Sequence, residues 1–162
     1  MPEPQILLTQ DTREQLGYQE LFETPCVIDT LNVGDYSVAG LQNLVAIERK
    51  SLGDLLGSLT RGRERFEKEL AKARSFQRFY VVVEASAPDV LAGNYGRYGS
   101  QCNPKSIWES VCAFSVRYAP FIFAGDRKTG ARLTESLLCK FAREHIVAVE
   151  NMQRASRKLK AG

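Results

Sequence analysis

The sequence has few of the features that mark a membrane protein, a secreted protein or a sulfur-ligated metal site. No apolar run among its 162 residues approaches the roughly 20 that span a bilayer. Its four cysteines form no Cys-x-x-Cys pair and only one histidine accompanies them, so a zinc site is not expected. Residues 1–4 lack both the basic start and the apolar stretch of a signal peptide. We therefore expect no membrane contact and a reducing location inside the cell, cytoplasmic or, in a eukaryote, nuclear.

Two common kinds of active site are also missing. His145 stands alone in a predicted helix, so neither a Ser-His nor a Cys-His pairing can be argued. The absence of a Gly-x-x-x-x-Gly-Lys sequence excludes a P-loop nucleotide-binding protein.

Positive charge is modest in total but unevenly placed. The net charge is +3, yet Arg61, Arg63 and Arg65 form one basic group, and residues 151–162 contain four basic side chains and no acid. That tail is either solvated and frayed or a contact for a polyanion. Both clusters would draw a negatively charged substrate toward the protein.

Hydrophobic periodicity predicts one α/β domain. A chain of this length can bury about 70% of the surface that its unfolded state exposes. Strands are predicted at residues 5–9, 26–33, 33–38, 44–50, 78–84 and 121–124, and helices at residues 52–59, 63–75, 106–118 and 129–145. Because the two kinds of element are interleaved along the chain, we expect a central mixed β-sheet flanked by helices on both faces.

One predicted strand ends in a charge cluster. Four apolar residues, 44–47, describe a strand buried on both faces, and Glu48, Arg49 and Lys50 follow them directly. Side chains alternate along a strand, so Glu48 and Lys50 share one face while Arg49 points to the other.

A hairpin would bring a second acid to the same face. If the chain turns over residues 40–43, the preceding strand folds back and Asp35 lies opposite Glu48. Two carboxylates about 5 Å apart repel each other unless a cation lies between them. With Lys50 beside them, they form an arrangement that suits a hard divalent metal. The alternative is a surface hairpin in which Glu48 and Lys50 form a simple salt bridge.

An ordered set of short motifs carries a resemblance to a known family. The set comprises Asp11-x-Arg13-Glu14, Gly34-Asp35-Tyr36, Ile47-Glu48-Arg49-Lys50 with Asp54-Leu55, Ser58-Leu59, Gly62-Arg63 and Val82-Val83-Glu84. In this order and spacing the chain resembles the ERCC4-type nuclease domain of the XPF/Mus81 family, a branch of the restriction-endonuclease-like fold. The resemblance implies a nuclease domain over residues 5–146. The chain then departs from the family pattern, because residues 147–162 are expected to form a basic tail in place of the helix-hairpin-helix module that many members carry.

The resemblance also implies roles for the charged strand. In the family, the residues that match Asp35 and Glu48 ligate a metal, and the match to Lys50 sits beside the attacking water. There an amine could orient hydroxide, stabilise phosphate charge or act as a base. Arg49 belongs to the same catalytic signature, but strand alternation turns it away from the metal face. We expect it to pair with Glu14 or Asp54.

Other matched positions have a functional and a structural interpretation. Asp11, with Arg13 and Glu14 in support, either completes the metal shell or is a strand-end turn residue. Asp54 is expected near the start of a helix, with Ser51 as its N-cap. Arg63 either touches phosphate or is an exposed helix-start arginine.

The loop of residues 93–100 interleaves glycine, aromatic residues and arginine. Tyr95, Tyr98 and Arg97 could stack and hold the bases of a DNA strand, although the same composition is typical of any flexible loop.

These features predict a Mg²⁺- or Mn²⁺-dependent endonuclease that hydrolyses DNA phosphodiesters. The resemblance implies branched or flapped DNA as the substrate, and a homodimer or a partner protein that supplies further DNA contacts. The alternative is a non-catalytic DNA-binding or dimerisation module that supports an active nuclease, as in degenerate members of the family. Such members are expected to lose their acidic ligands, whereas Asp35, Glu48 and Lys50 are all present here.

Overall fold

The computed structural model describes residues 4–99 and 101–161. The N-terminal residues 1–3, Ser100 of the aromatic loop and Gly162 of the basic tail lie outside the described residues. Six strands are present: β1 (Leu8–Asp11), β2 (Cys26–Asp29), β3 (Tyr36–Val38), β4 (Val45–Ser51), β5 (Arg78–Glu84) and β6 (Phe121–Phe123). Five α-helices accompany them: α1 (Leu52–Leu59), α2 (Arg63–Lys72), α3 (Ala87–Ala92), α4 (Pro104–Arg117) and α5 (Arg127–Ala161).

The strands form one mixed sheet in the order β2-β1-β3-β4-β5-β6. Strand β1 pairs antiparallel with β3, and β3 pairs antiparallel with β4, whereas β1–β2, β4–β5 and β5–β6 are parallel pairs. The longest pairing joins β4 and β5 over seven residues, with Glu48 beside Val81 and Lys50 beside Val83. The charged strand therefore lies inside the sheet, where neighbours on both sides fix its position.

Helices cover both faces of the sheet, as the sequence predicted. On one face, Ala46, Val81 and Val83 pack with apolar side chains of α1, α2, α3 and α4. On the other face, Ile47 and Val82 pack with the first half of α5. Burying a leucine, valine or phenylalanine stabilises a fold by about 1.5–3 kcal/mol each, so these two layers hold β4 on both sides.

Helix α1 starts directly after β4 because Ser51 caps it. The Ser51 hydroxyl accepts a hydrogen bond from the N–H of Asp54 at 3.2 Å, which confirms the predicted cap. Buried Leu55, Leu56 and Leu59 then anchor α1 on the sheet. The abrupt change from strand to helix places the charged end of β4 at the edge of a helix layer.

Several boundaries differ from the sequence-based ones. Strand β3 begins at Tyr36 because Gly34 takes a left-handed conformation, so Asp35 precedes the strand. Helix α3 lies in a stretch predicted to be mostly loop. Helix α5 runs from Arg127 to Ala161 without a break, across the expected start of the basic tail at residue 147. In the part of the chain that the structure describes, no helix is both long and apolar enough to cross a bilayer.

Candidate active site

The turn into β3 positions Asp35. Gly34 has a φ of +82°, and a Cβ there would lie 3.0 Å from the Cβ of Ala46 and 3.2 Å from the carbonyl oxygen of Ile47. Both the backbone conformation and the close approach of β4 therefore require glycine. The N–H of Asp35 donates to the Ile47 carbonyl oxygen at 2.8 Å, which ties this turn to β4.

Glu48 is the neighbour of Asp35 across the hairpin. Tyr36 pairs with Ile47 in the antiparallel ladder. Asp35, which precedes Tyr36, is therefore opposite Glu48, which follows Ile47, as the predicted hairpin requires. Both carboxylates line one cavity of about 270 Å³. The backbone N–H of Arg49 donates to Asp35 Oδ2 at 2.7 Å and orients that carboxylate.

The two carboxylates disfavour each other's ionisation. Burial raises the pKa of Asp35, and the negative charges of Glu48 and Glu14 raise it further. Burial also raises the pKa of Glu48, although the ammonium of Lys50 opposes that shift. A cation between the two acids would relieve the repulsion and favour the ionised forms.

Lys50 lies on the same side of β4 as Glu48. Its Nζ is 3.1 Å from Glu48 Oε1 and 4.6 Å from the ring centroid of Phe66 in α2. Its side chain is 12% exposed, so the ammonium is held between Glu48 and Phe66 rather than in bulk solvent. An amine held in this way can stabilise charge that develops next to Glu48.

Asp11 is committed to other partners. One oxygen, Oδ2, accepts from Arg13 Nε at 2.7 Å, and the other, Oδ1, accepts from the N–H of Leu31 at 2.8 Å. Burial acts to raise the pKa of Asp11, but the hydrogen bonds from Arg13 and Leu31 outweigh it and the pKa falls below its ordinary value. Asp11 and Arg13 line the same cavity as Asp35 and Glu48. Both carboxylate oxygens of Asp11 thus already accept hydrogen bonds, from Arg13 and from Leu31.

The donor set fits a small hard cation. Within residues 4–99 and 101–161, no group of three or more acidic, histidine or cysteine side chains is arranged to hold a metal. Magnesium is commonly bound by only one or two carboxylates together with water and substrate phosphate, and Asp35 and Glu48 provide such a pair. Their raised pKa values and shared cavity are the signs of a site that gains from a positive charge.

Glu69 is a cavity residue that the sequence did not reveal. It lies in α2 and lines the cavity, and its charge contributes to the raised pKa of Glu48. No motif contains it. The available signal was its position three residues after Phe66 in an amphipathic helix, which places both side chains near one face.

The opposite face of β4 carries a buried ion cluster around Arg49. Arg49 donates to Glu14 through Nε and Nη2, both at 3.0 Å, and to Glu84 Oε1 through Nη1 at 3.1 Å. The Arg49–Glu14 pair confirms one of the two partners expected for this arginine, whereas Asp54 is exposed and is not among its partners. Glu84, at the end of β5, is a partner that strand alternation alone did not indicate.

Two tyrosines complete this cluster. The Tyr18 hydroxyl donates to Glu84 Oε1 at 2.6 Å, and the backbone N–H of Tyr18 donates to the Tyr36 hydroxyl at 3.0 Å. The two rings stack with centroids 5.0 Å apart. Gly130 of α5 leaves room for this contact, because a Cβ there would lie 2.5 Å from the Tyr18 hydroxyl. Arg49 therefore contacts Asp35 on the cavity face through its backbone N–H, while its side chain is anchored behind the sheet.

The expected DNA contacts are distributed differently. Arg63 donates to the Ser110 hydroxyl at 2.7 Å and lies 4.7 Å from the ring centroid of Phe114, so its guanidinium packs against α4. Tyr95 is only 2% exposed and belongs to the core. Arg97 is exposed, and Tyr98 is 49% exposed.

The sheet order and the helices on both faces define an α/β domain with the restriction-endonuclease-like fold. A family model described as the ERCC4 domain matches residues 10–137, which is most of the chain. The protein belongs to the ERCC4 domain family.

Solved structures agree on the fold. The chain is similar to XPF from Aeropyrum pernix, with a TM-score of 0.67 and 20% identity over 91% of this chain and 70% of the other. It is also similar to XPF from Aeropyrum pernix in complex with DNA, with a TM-score of 0.65 and 22% identity over 86% of this chain and 66% of the other. The chain thus spans about two thirds of the length of these proteins. No match is found among curated proteins.

Proposed function

We propose that this protein is a divalent-metal-dependent endonuclease that hydrolyses DNA phosphodiester bonds. The observation that carries the proposal is the pair of half-buried carboxylates of Asp35 and Glu48, which line one cavity, with the Lys50 ammonium 3.1 Å from Glu48. Membership of a nuclease-domain family and the likeness to a DNA-bound structure support DNA as the substrate.

Asp35 and Glu48 would hold Mg²⁺ or Mn²⁺. Such an ion, when bound, supplies Lewis acidity and lowers the pKa of a bound water. Arg49 fixes the Asp35 carboxylate through its backbone N–H. Asp11 does not bind the metal directly in this mechanism. It holds Arg13 at the cavity, where the guanidinium can bind phosphate.

Lys50 is the group that meets the reacting phosphate. Its ammonium stabilises the negative charge that develops on the phosphate oxygens, and it holds water by donating a hydrogen bond. The Glu48 carboxylate keeps the ammonium in place, and the Phe66 ring covers it from the side of α2.

The substrate in this proposal is branched or flapped DNA, and the protein works as a homodimer or with a partner protein. Both parts rest on the family to which the chain belongs. An intracellular location is part of the same proposal. A panel of duplex, flap, fork and single-stranded DNA, assayed with Mg²⁺ and with Mn²⁺, tests the substrate, and gel filtration tests the oligomeric state.

The central test is Glu48→Gln, which keeps the size of the side chain but removes its charge. We expect cleavage to fall by at least about a hundredfold while DNA binding is retained, because charge stabilisation at a reacting centre contributes on that order. Glu109→Gln, an exposed glutamate on α4, is the matched control and should cleave as the wild type does. Unchanged cleavage by Glu48→Gln would exclude the mechanism.

The second candidate is a non-catalytic module that supports an active nuclease. The commitment of Asp11 to Arg13 and Leu31 favours it, because both oxygens of the third predicted metal ligand already accept hydrogen bonds. Calorimetric titration with Mn²⁺ separates the candidates. The enzyme has a site that is lost in Glu48→Gln, whereas the inactive module has none to lose.

A further inference from the structure

An exposed aromatic side chain lies beside the candidate active site. Tyr98 is 49% exposed, and among the exposed large hydrophobic side chains of the described chain it is the aromatic one. Its ring reaches α1, since a Cβ on Gly53 would lie 2.9 Å from Tyr98 Cε1 and 3.1 Å from Cδ1. Gly53 follows Lys50 by three residues, and a segment of that length spans at most about 11 Å. The ring therefore lies against the start of α1, a few residues along the chain from the strand end that carries Lys50.

Hydrogen bonds and packing hold the loop that presents Tyr98 in one conformation. Tyr95 is buried in the core and its hydroxyl donates to the Val90 carbonyl oxygen at 2.8 Å. The N–H of Tyr98 donates to the Tyr95 carbonyl oxygen at 3.1 Å, so the exposed residue sits one turn away from a fixed one. Gly99 packs against the Tyr95 side chain, where a Cβ would come within 2.3 Å. A solvent-exposed ring on such a frame costs little entropy when it binds a flat ligand.

Arg97 supplies a second flat group at the same place. Its Nη2 donates to the Tyr98 hydroxyl at 2.7 Å, and its guanidinium carbon lies 4.9 Å from the ring centroid. Exposed rings that carry an arginine are the groups on which unpaired bases stack in single-strand-binding proteins. Duplex bases are covered by their neighbours and offer no free face for this contact.

The negative charge of Asp54 favours a base over a phosphate on the α1 side of the Tyr98 ring. Asp54 follows Gly53 and is exposed, so it repels phosphate from the surface around the ring. A base carries no charge and stacks on an aromatic face regardless. Arg97 can bind the phosphate on the other side of that nucleotide.

We propose that Tyr98 and Arg97 form a stacking platform for one unpaired base of the DNA strand next to the cut. The inference rests on the proposed function and specifies its substrate: the strand must be unpaired for at least one nucleotide beside the scissile phosphate. Gly53 is part of the platform because its missing side chain lets the ring lie against α1.

The test measures DNA binding in EDTA, where metal-dependent cleavage cannot occur. The probes are a labelled short oligodeoxythymidine and a blunt duplex, followed by fluorescence anisotropy. Tyr98→Leu is expected to weaken single-strand binding about tenfold and to leave duplex binding within about twofold, because base–aromatic stacking contributes on that order. Tyr98→Phe keeps the ring and should bind single strands like the wild type.

Two further variants complete the test. Gly53→Ala places a methyl against the ring and should weaken single-strand binding without touching Tyr98 chemically. Val116→Ala, an 88% exposed position on α4, is the surface control and should change neither affinity. Melting curves establish that each variant is folded. A 2-aminopurine base in the probe should be quenched by the wild type and not by Tyr98→Leu.

Three results would overturn the platform: unchanged single-strand binding in Tyr98→Leu, an equal loss for single strand and duplex, or a loss in Tyr98→Phe as large as in Tyr98→Leu. The first would leave the ring to a protein partner. Cleavage with Mn²⁺ separates this inference from the proposed function. If the wild type cuts and Tyr98→Leu binds normally, only the platform fails. If the wild type never cuts but discriminates single strands through Tyr98, only the enzymatic function fails.

Discussion

The two sides of β4 differ in how completely their charges are paired. On the side that faces α2, Asp35 and Glu48 line one cavity, Lys50 pairs with Glu48 alone, and burial raises the pKa of both acids. On the side that faces α5, Arg49 satisfies two buried carboxylates through three hydrogen bonds. Alternate residues of one strand thus serve opposite purposes. We call the side of Asp35 and Glu48 the unpaired side, because only Glu48 of the two pairs with Lys50, and the side of Arg49 the paired side. The unpaired side is available for a ligand, and the paired side holds the strand in place.

Arg49→Met would break the paired side. The variant removes the guanidinium that pairs with both Glu14 and Glu84, whose side chains are 8% and 10% exposed. Stripping one partner from a buried ion cluster typically costs about 3–5 kcal/mol, so the free energy of unfolding should fall by that much. Urea denaturation measures it.

The matched control for that variant is Arg132→Met. Arg132 lies 3.7 Å from Glu23, and both side chains are mostly exposed. An exposed pair contributes at most about 1 kcal/mol, so this variant should unfold nearly as the wild type does. Equal stability of the two methionine variants would show that the buried cluster is not what holds β4.

Lys50→Met would break the unpaired side. The variant lacks the amine that is proposed to stabilise phosphate charge, and we expect the single-turnover cleavage rate to fall by about a hundredfold. The free energy of unfolding should change far less than in Arg49→Met. Lys68→Met removes an exposed lysine that pairs with Glu64 at 3.0 Å and should leave cleavage unchanged. A Lys50→Met enzyme that cleaves normally would remove this lysine from the mechanism.

Asp35→Asn would relieve the repulsion on the unpaired side. The pKa of Asp35 is raised in the folded state, so over the pH range between its ordinary and its raised pKa the folded protein holds a proton that the unfolded chain has released. Stability of the metal-free wild type should therefore fall as the pH rises from about 4 upward. At pH 8 in EDTA, Asp35→Asn should unfold at a temperature several degrees higher, about 2–4 °C for each kcal/mol gained.

The same experiment has an internal check. Mn²⁺ should raise the Tm of the wild type and leave that of Asp35→Asn unchanged, because the variant has lost half of the carboxylate pair. If Asp35→Asn melts below the wild type in EDTA at pH 8, the two acids do not repel each other as described.

Tyr18→Phe should have the smallest effect and would sharpen the comparison. It removes the hydroxyl that donates to Glu84 at 2.6 Å, while Arg49 still satisfies that carboxylate. We expect a loss of about 1–2 kcal/mol in the free energy of unfolding, measured in urea. Cleavage should stay within about threefold of the wild type, since no group on the cavity side changes. A large loss of activity at unchanged stability would mean that the paired side acts in the chemistry.

Local patterns in the sequence were sufficient for the frame of the site. The alternation of Glu48, Arg49 and Lys50, the hairpin that brings Asp35 to Glu48 and the Ser51 cap each depend on residues close together in the chain. The structure confirms the resulting strand faces and the helix that follows them.

The features that could not be predicted from the sequence depend on residues far apart in the chain. The contacts of Arg49 with Glu84 and of Tyr18 with Glu84 join segments 35 and 66 residues apart. Tyr95 and Tyr98 look alike in the loop, yet one is buried and the other exposed because only the packing of the loop on the core distinguishes them. Helix α5 continues to Ala161, and its residues 151–160 are exposed, so no buried apolar stripe marks the last turns.

The alternation in β4 has a consequence for how this gene can change. Inserting one residue after Glu48 would send the amine of Lys50 behind the sheet and the guanidinium of Arg49 to the cavity side, so the buried ion cluster and the proposed site would be lost in a single step. Inactive descendants should therefore arise by point substitution at Asp35, Glu48 or Lys50, with the spacing of the strand preserved. Because a neutral residue at Asp35 or Glu48 removes charge repulsion between the two acids, such descendants should lose the proposed activity and gain stability, which favours their retention as scaffolds.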